Sequence, residues 1–174
     1  MLLAEYLMFL LSPRNKEISN MPLYENEETL TNEKQVALTL ASTWGLLDCR
    51  KIHNREAGVD YIADVNNSRY PHLAFEIKCR SKRFGSFLID VAKLRKIKAY
   101  EEKHNVRSIL VVRWEDVINW CRPSEWVWHN ALPANFRVGL FSRQEMRDIN
   151  DHKDLVAWIP YHLLYPLSKT PMQD

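Results

Sequence analysis

The sequence predicts an α/β domain built on a mixed central sheet flanked by helices. Three observations carry that prediction. Apolar residues recur at helical spacing through Val36, Ala37, Leu40, Ala41, Trp44 and Leu47. Residues 47–80 then break into three strand-like runs separated by turn-forming residues. After a second helical segment, Ser108 to Trp114 is a continuous apolar run that suits a strand buried on both faces. Hairpin-linked strands followed by a helical crossover give a mixed sheet with helices packed against it.

The first helix is expected from Asn32, where Asn32 and Gln35 have capping-box spacing, to Gly45, a C-terminal stop with Leu46 packing back. Glu33 extends the apolar stripe at its N-terminal end, so it points to the core edge rather than to open solvent. Strands are expected at Leu47–His53, Val59–Val65 and His72–Arg80, with turns at 54–58 and 66–68. In the third strand, alternation puts Phe75, Ile77 and Cys79 on one face and Ala74, Glu76, Lys78 and Arg80 on the other. Residues 82–86 read as a basic loop. Asp90 can cap a helix to about His104, closed by Asn105, with Val91, Leu94 and Ile97 on its buried side. Lys93, Lys96, Tyr100 and Lys103 share a stripe of that helix. Beyond Trp114, short strands are expected at Trp126–Trp128, Phe136–Phe141 and Leu155–Ile159, with a helix from Ser142 to about Asn150. The tryptophans there read as core.

The 174 residues, 46% hydrophobic and 26% charged, are enough for one domain with a proper core. Residues 1–30 read as an N-terminal extension and linker. Residues 31–174 read as a single domain, with a core at 32–114 and a Trp-rich elaboration at 115–174. The apolar run Met1–Leu11, broken by Glu5, is too short to span a bilayer. It reads as a short docked helix or, if Met21 is the natural start, as an extension with no folding role. No membrane partner is expected. Cys49, Cys79 and Cys121 are odd in number and lack zinc spacing, which points to reduced thiols and a cytoplasmic location. A net charge of +2 gives no global basic field, so any nucleic-acid binding must come from a local patch.

Charges inside apolar strands are costly unless they are paired or bind a metal. Asp60, Glu76 and Lys78 are such charges. Phosphodiester hydrolysis needs an activated water and neutralised charge on phosphorus, and a divalent cation supplies both. Magnesium keeps several waters, so two carboxylates and a backbone carbonyl hold it. Asp60, Glu76 and the Ile77 carbonyl are the candidate ligands, with Lys78 orienting the attacking water. Glu33 is a candidate for holding a metal-bound water or a second ion. Asp64 shares a strand face with Asp60 and stands as the alternative ligand. A Glu-x-Lys tripeptide arises about once by chance in a chain this size at ordinary residue usage, and Glu101-Glu102-Lys103 is a second one here. The strand context, not the tripeptide, singles out Glu76-Ile77-Lys78.

In that context the pattern resembles the PD-(D/E)XK nuclease superfamily, over roughly Asn32 to Trp114. Gly58-Val59-Asp60-Tyr61-Ile62-Ala63 is similar to the metal-binding turn and strand of its Holliday-junction-resolvase-like members, with Val59 in place of the name-giving proline. Phe75-Glu76-Ile77-Lys78 is similar to the central signature. Phe87-Leu88-Ile89-Asp90, then Lys93-Leu94 and Tyr100, resembles the helix that follows it, and Glu33 matches a first-helix glutamate. The resemblance implies a restriction-endonuclease-like αβββαβ core and a magnesium-dependent nuclease, with manganese as a substitute ion. It implies Asp60, Glu76 and Lys78 as the active trio, with Glu33 beside them and Lys93 contacting phosphate or supporting the site.

The expected substrate is DNA, with RNA left open; the expected enzyme is a resolvase-like or phage or mobile-element nuclease, and many relatives act as homodimers. Arg80, Lys82, Arg83, Lys93 and Lys96 are the candidate phosphate-contacting surface. The competing readings are a structural ion pair in place of the site, a non-catalytic nucleic-acid-binding or assembly module of the same fold, and an interaction protein using the apolar N-terminus and the Trp-rich segment.

Overall fold

The computed structural model describes residues 27–53, 58–66, 69–81, 85–142 and 153–172. Its contacts divide into a unit Met1–Asn32 and a unit Glu33–Asp174. The expected N-terminal helix, the residues 54–57, Lys82, Arg83 and the expected helix beyond Ser142 lie outside the described residues.

Helix α1 spans Glu27–Trp44. It starts five residues before the expected capping box, so Asn32 is a helix-interior residue. Glu27 and Glu28 in the first turn complement the helix dipole there. Its end follows the sequence reading. Gly45 takes φ +63°, and the Leu46 N–H donates to the Ala41 carbonyl at 2.9 Å, closing a Schellman turn.

Strands β1 (Leu47–Lys51), β2 (Tyr61–Asp64) and β3 (His72–Arg80) pair antiparallel in sequence. The first two are shorter than expected. Strand β4 (Ser86–Asp90) follows, then helix α2 (Val91–His104) and β5 (Arg107–Trp114), which runs parallel to β3. Strand β6 (Val117–Cys121) lies antiparallel to β5. A hairpin of β7 (Trp128–His129) and β8 (Leu132–Pro133), then β9 (Arg137–Ser142), β10 (Lys153–Pro160) and β11 (Tyr165–Pro166), complete the order. The main sheet runs β1-β2-β3-β5-β6-β11, and β4-β10-β9 form a second sheet. The result is the mixed α/β architecture that the sequence predicts.

Two findings depart from the sequence reading. Phe87–Asp90 does not open the helix; it is β4, paired with Ile159 to Val156 of β10. Alternation explains it, since Phe87 and Ile89 are buried while Leu88 and Asp90 are less so. Asp90 still caps α2, its Oδ1 accepting the Ala92 N–H at 2.7 Å, and Asn105 closes the helix at φ +51°. Strand β6 was not expected either, and it buries Trp120 and Cys121.

The main sheet is buried on both faces. Phe75, Ile77, Ile109, Val111 and Trp120 pack with Val36, Leu40 and Trp44 of α1. On the other face Ala74, Leu110, Val112 and Trp114 pack with Val91, Leu94 and Ile97 of α2 and with Ile89 and Ile159 of the second sheet. Strand β3 therefore carries Glu76 into the α2 side of an otherwise apolar layer.

Candidate active site

Glu76 is fully buried. Alternation on β3 sends Lys78 to the same side, and its Nζ lies 2.5 Å from Glu76 Oε1. Lys93, one turn into α2, brings its Nζ to 2.7 Å from Oε2. Both carboxylate oxygens thus meet an ammonium group at the distance of a charge-assisted hydrogen bond.

Burial pushes the Glu76 carboxyl up to about 7. Lys78 pulls it down, Asp60 pushes it up and Lys93 pulls it down, so desolvation outweighs both ammonium groups. For Lys78 the balance is reversed. Burial favours the neutral amine, but Glu76 and Asp60 outweigh it and raise the pKa, so Lys78 stays an ammonium.

Asp60 sits at the bend just before β2. The turn that delivers it depends on Gly58, which takes φ +75° and packs so tightly on α2 that a Cβ there would lie 2.3 Å from Lys96 Cβ. The Asp60 N–H donates to the Phe75 carbonyl at 3.0 Å, and its Oδ2 accepts the Ile77 N–H at 2.9 Å. The main chain of Phe75 and Ile77 thus faces Asp60 just beyond the last β2–β3 pair, Tyr61 with Phe75. Two carboxylates and the Ile77 main chain meet where the two strands part.

These donors fit a hard cation. Glu76 offers two buried oxygens, and Asp60 stands on the neighbouring edge with its Oδ2 accepting the Ile77 N–H. No group of three or more His, Cys, Asp or Glu side chains converges among the described residues.

Glu33 is buried at the α1 end of this region and accepts a hydrogen bond from Lys51 Nζ at 3.2 Å. Burial first, then the Asp60 charge, raises its pKa, against the pull of Lys51 and Lys78. The same two acids, after burial, push the Tyr61 phenol up to about 12. Asp64 is turned to other partners: its Oδ1 lies 2.9 Å from His72 Nδ1 and 3.6 Å from Arg50 Nη1. Of the proposed basic surface, Lys93 is drawn into the site. Arg80 is exposed and stacks over the Phe87 ring at 5.5 Å, and Lys96 is exposed on α2. Sequence reasoning missed Lys51. Its signal was the period-two step from Cys49 along β1, which carries Lys51 to the α1 side, but the partner on α1 is a tertiary matter.

A family profile described as phage putative PDDEXK endonuclease matches residues 19–159. No curated protein sequence matches the chain. Among solved structures, the Holliday junction resolvase Hjc of the archaeal hyperthermophile Archaeoglobus fulgidus is similar in fold. Its TM-score is 0.51 at 9% identity, over 79% of this chain and 87% of the resolvase.

Proposed function

We propose a metal-dependent nuclease activity from one premise: the chain belongs to the phage putative PDDEXK endonuclease family. The observation that carries the proposal is Glu76, a fully buried carboxylate held between two ammonium groups with a second acid, Asp60, beside it. Structural ion pairs also perturb pKa values, but a purely structural pair has no need of a second acid whose charge opposes the first, and Asp60 does so here.

In this reading Asp60, Glu76 and the Ile77 carbonyl hold magnesium, or manganese in its place. The bound ion supplies an activated water and offsets charge on the phosphate. Lys78, kept as an ammonium, donates to the attacking water and to the developing charge rather than taking a proton. Glu33 orients water beside Asp60, with Lys51 holding its side chain in place. Lys93 supports Glu76, and with Arg80, Lys82, Arg83 and Lys96 it receives the substrate backbone. DNA is the proposed substrate, supported by the family description and by the likeness to a Holliday junction resolvase. Residues 31–174 act as the nuclease-like domain, working in the cytoplasm and as a homodimer where two strands are cut. No helix among the described residues is long and apolar enough to cross a membrane.

The test is incubation of the protein with plasmid, linear, single-stranded and branched DNA, and with RNA, in magnesium, in manganese and in chelator. Metal-dependent cutting that is lost in Lys78→Ala is the expected result. Absence of metal-dependent cutting on every substrate removes the proposal and leaves a non-catalytic nucleic-acid-binding module of the same fold.

A further inference from the structure

A cavity of about 550 Å³ opens beside the candidate site, between β3 and the second sheet. Its lining mixes three cations, Lys78, Arg80 and Lys93, with the rings of Phe87, Trp114, Tyr161 and Phe141, and Arg80 lies over the Phe87 ring at 5.5 Å. Phe87 and Trp114 are buried and meet edge-on at 6.4 Å, and Trp114 meets Tyr161 edge-on at 4.5 Å. These rings form a fixed aromatic wall. Phe141, on β9, is 42% exposed and leaves ring surface open to a ligand. Asp90 also lines the cavity, with its Oδ1 engaged by the Ala92 N–H.

We propose that this cavity receives one unpaired nucleobase of a DNA substrate, with the adjoining phosphate on Lys78, Arg80 and Lys93. The proposal rests on the nuclease reading above and names its substrate class: DNA with unpaired bases next to the bond that is cut. The volume lies within the ~300–1,000 Å³ range of pockets that enclose a small ligand. A base in an intact duplex cannot reach a recessed wall without leaving its stack, and the cost of leaving is least where the base is already unpaired. A lining of rings and cations together matches a nucleotide, which is flat and apolar at the base and anionic at the phosphate. An apolar peptide would leave the cations unmatched. Stacking on an aromatic ring accepts any base, so the pocket selects for strand state rather than for sequence.

The test is binding of a short fluorescein-labelled single-stranded DNA and of its duplex to the full chain in chelator, read by anisotropy. Phe141→Ala and Phe141→Trp are compared with the unaltered chain. Phe141 is exposed on its strand, so circular dichroism should report an unchanged fold in both. The expected result is tighter binding of the single strand than of the duplex. Phe141→Ala should weaken single-strand binding about tenfold, the scale of one lost base–aromatic stack. Phe141→Trp should retain it, and duplex binding should move less than about twofold, as a phosphate-only contact would. Equal binding of both forms, no detectable single-strand binding, or single-strand binding indifferent to Phe141 overturns the pocket. Because chelator prevents cutting, the two proposals fail separately. A chain that cuts with magnesium but ignores Phe141 keeps the nuclease and loses the pocket; a chain that never cuts but depends on Phe141 keeps the pocket as a DNA-binding site.

Discussion

Glu76-Ile77-Lys78 in β3 and Glu101-Glu102-Lys103 in α2 are the same sequence pattern in two surroundings. Glu101 lies at the end of α2 that meets β5. Its Oε2 accepts the Ser108 N–H at 2.7 Å, and its Oε1 accepts from Arg122 Nη2 at 2.6 Å. Every contact is an aligned donor, and the result is a fastening between the helix, the start of β5 and the end of β6. Lys103 stands exposed beside it. Glu76 is buried more deeply, and its two oxygens meet Lys78 and Lys93 Nζ at 2.5 and 2.7 Å with Asp60 beside them. The first carboxylate fastens three elements with a backbone N–H and a guanidinium. The second gathers two ammonium groups and a second acid at the centre of an apolar layer, an arrangement that costs stability and marks a site.

The largest expected effect separates the two on activity. Glu76→Gln should reduce magnesium-dependent cutting by about 10³-fold, the scale of losing one preorganised charge-stabilising group. Glu101→Gln should change the rate by less than about twofold, since a fastening away from the candidate site acts on stability rather than chemistry. Initial rates on the best substrate measure both, and equal losses would erase the distinction.

The next effect is on pH dependence. The folded-state pKa of Glu76 is raised from 4.5 to about 7, so between those values the folded chain holds a proton that the unfolded chain has lost. The stability this proton provides is present below pH 4.5 and is lost as the pH rises through 7. At ~1.4 kcal/mol per pKa unit the loss is about 3 kcal/mol by pH 8. The Tm of the metal-free protein should therefore fall from pH 5 to pH 8. Glu76→Gln should flatten that fall. Magnesium should raise Tm more at pH 8 than at pH 5, because binding to the folded state alone adds stability where the carboxylate is ionised. A Glu76→Gln profile parallel to the unaltered one would count against the burial argument. Glu33 shifts in the same direction, so the difference between the two profiles is the quantity to read.

The smallest effects belong to the second copy. Glu101→Ala removes one partner of a mostly buried pair and leaves Arg122 without its closest acid, which should cost about 2 kcal/mol in urea denaturation, below the range for fully buried pairs. Lys103→Ala, on an exposed helix end, should stay within about 0.5 kcal/mol. A Lys103 effect as large as that of Glu101 would mean that the pattern itself, not its surroundings, sets the energetics.

Much of the fold was legible because it rests on local periodicity. The buried face of α1, the bounds of β3, the Asp90 and Asn105 caps and the doubly buried β5 follow from residues within one or two turns of each other. Strand β4 was not legible in the same way. Four residues, Phe87 to Asp90, read equally as a helix entry, and their partner β10 lies some seventy residues later along the chain. β6 was hidden because Val117 to Cys121 alternates weakly and takes its burial from β5 and β11. At the site, sequence preferred Asp60 and kept Asp64, on the same strand face, as the alternative. His72 and Arg50 take up Asp64, while Asp60 turns to Ile77. The glycine turn before Asp60 was read as a pattern, and its cause is the close approach to Lys96.

The sequence by itself determined that Glu76 and Lys78 share one face of a buried strand, because side chains alternate along any strand whatever it pairs with. It also determined that a helix follows with Lys93 near its start. Only the tertiary structure decided that Lys93 closes on Glu76, that Lys51 closes on Glu33, and that Asp60 stands beside the buried carboxylate. Those outcomes depend on where separate elements meet in space, and desolvation, which sets the chemistry of Glu76, exists only once the apolar layers have closed around it.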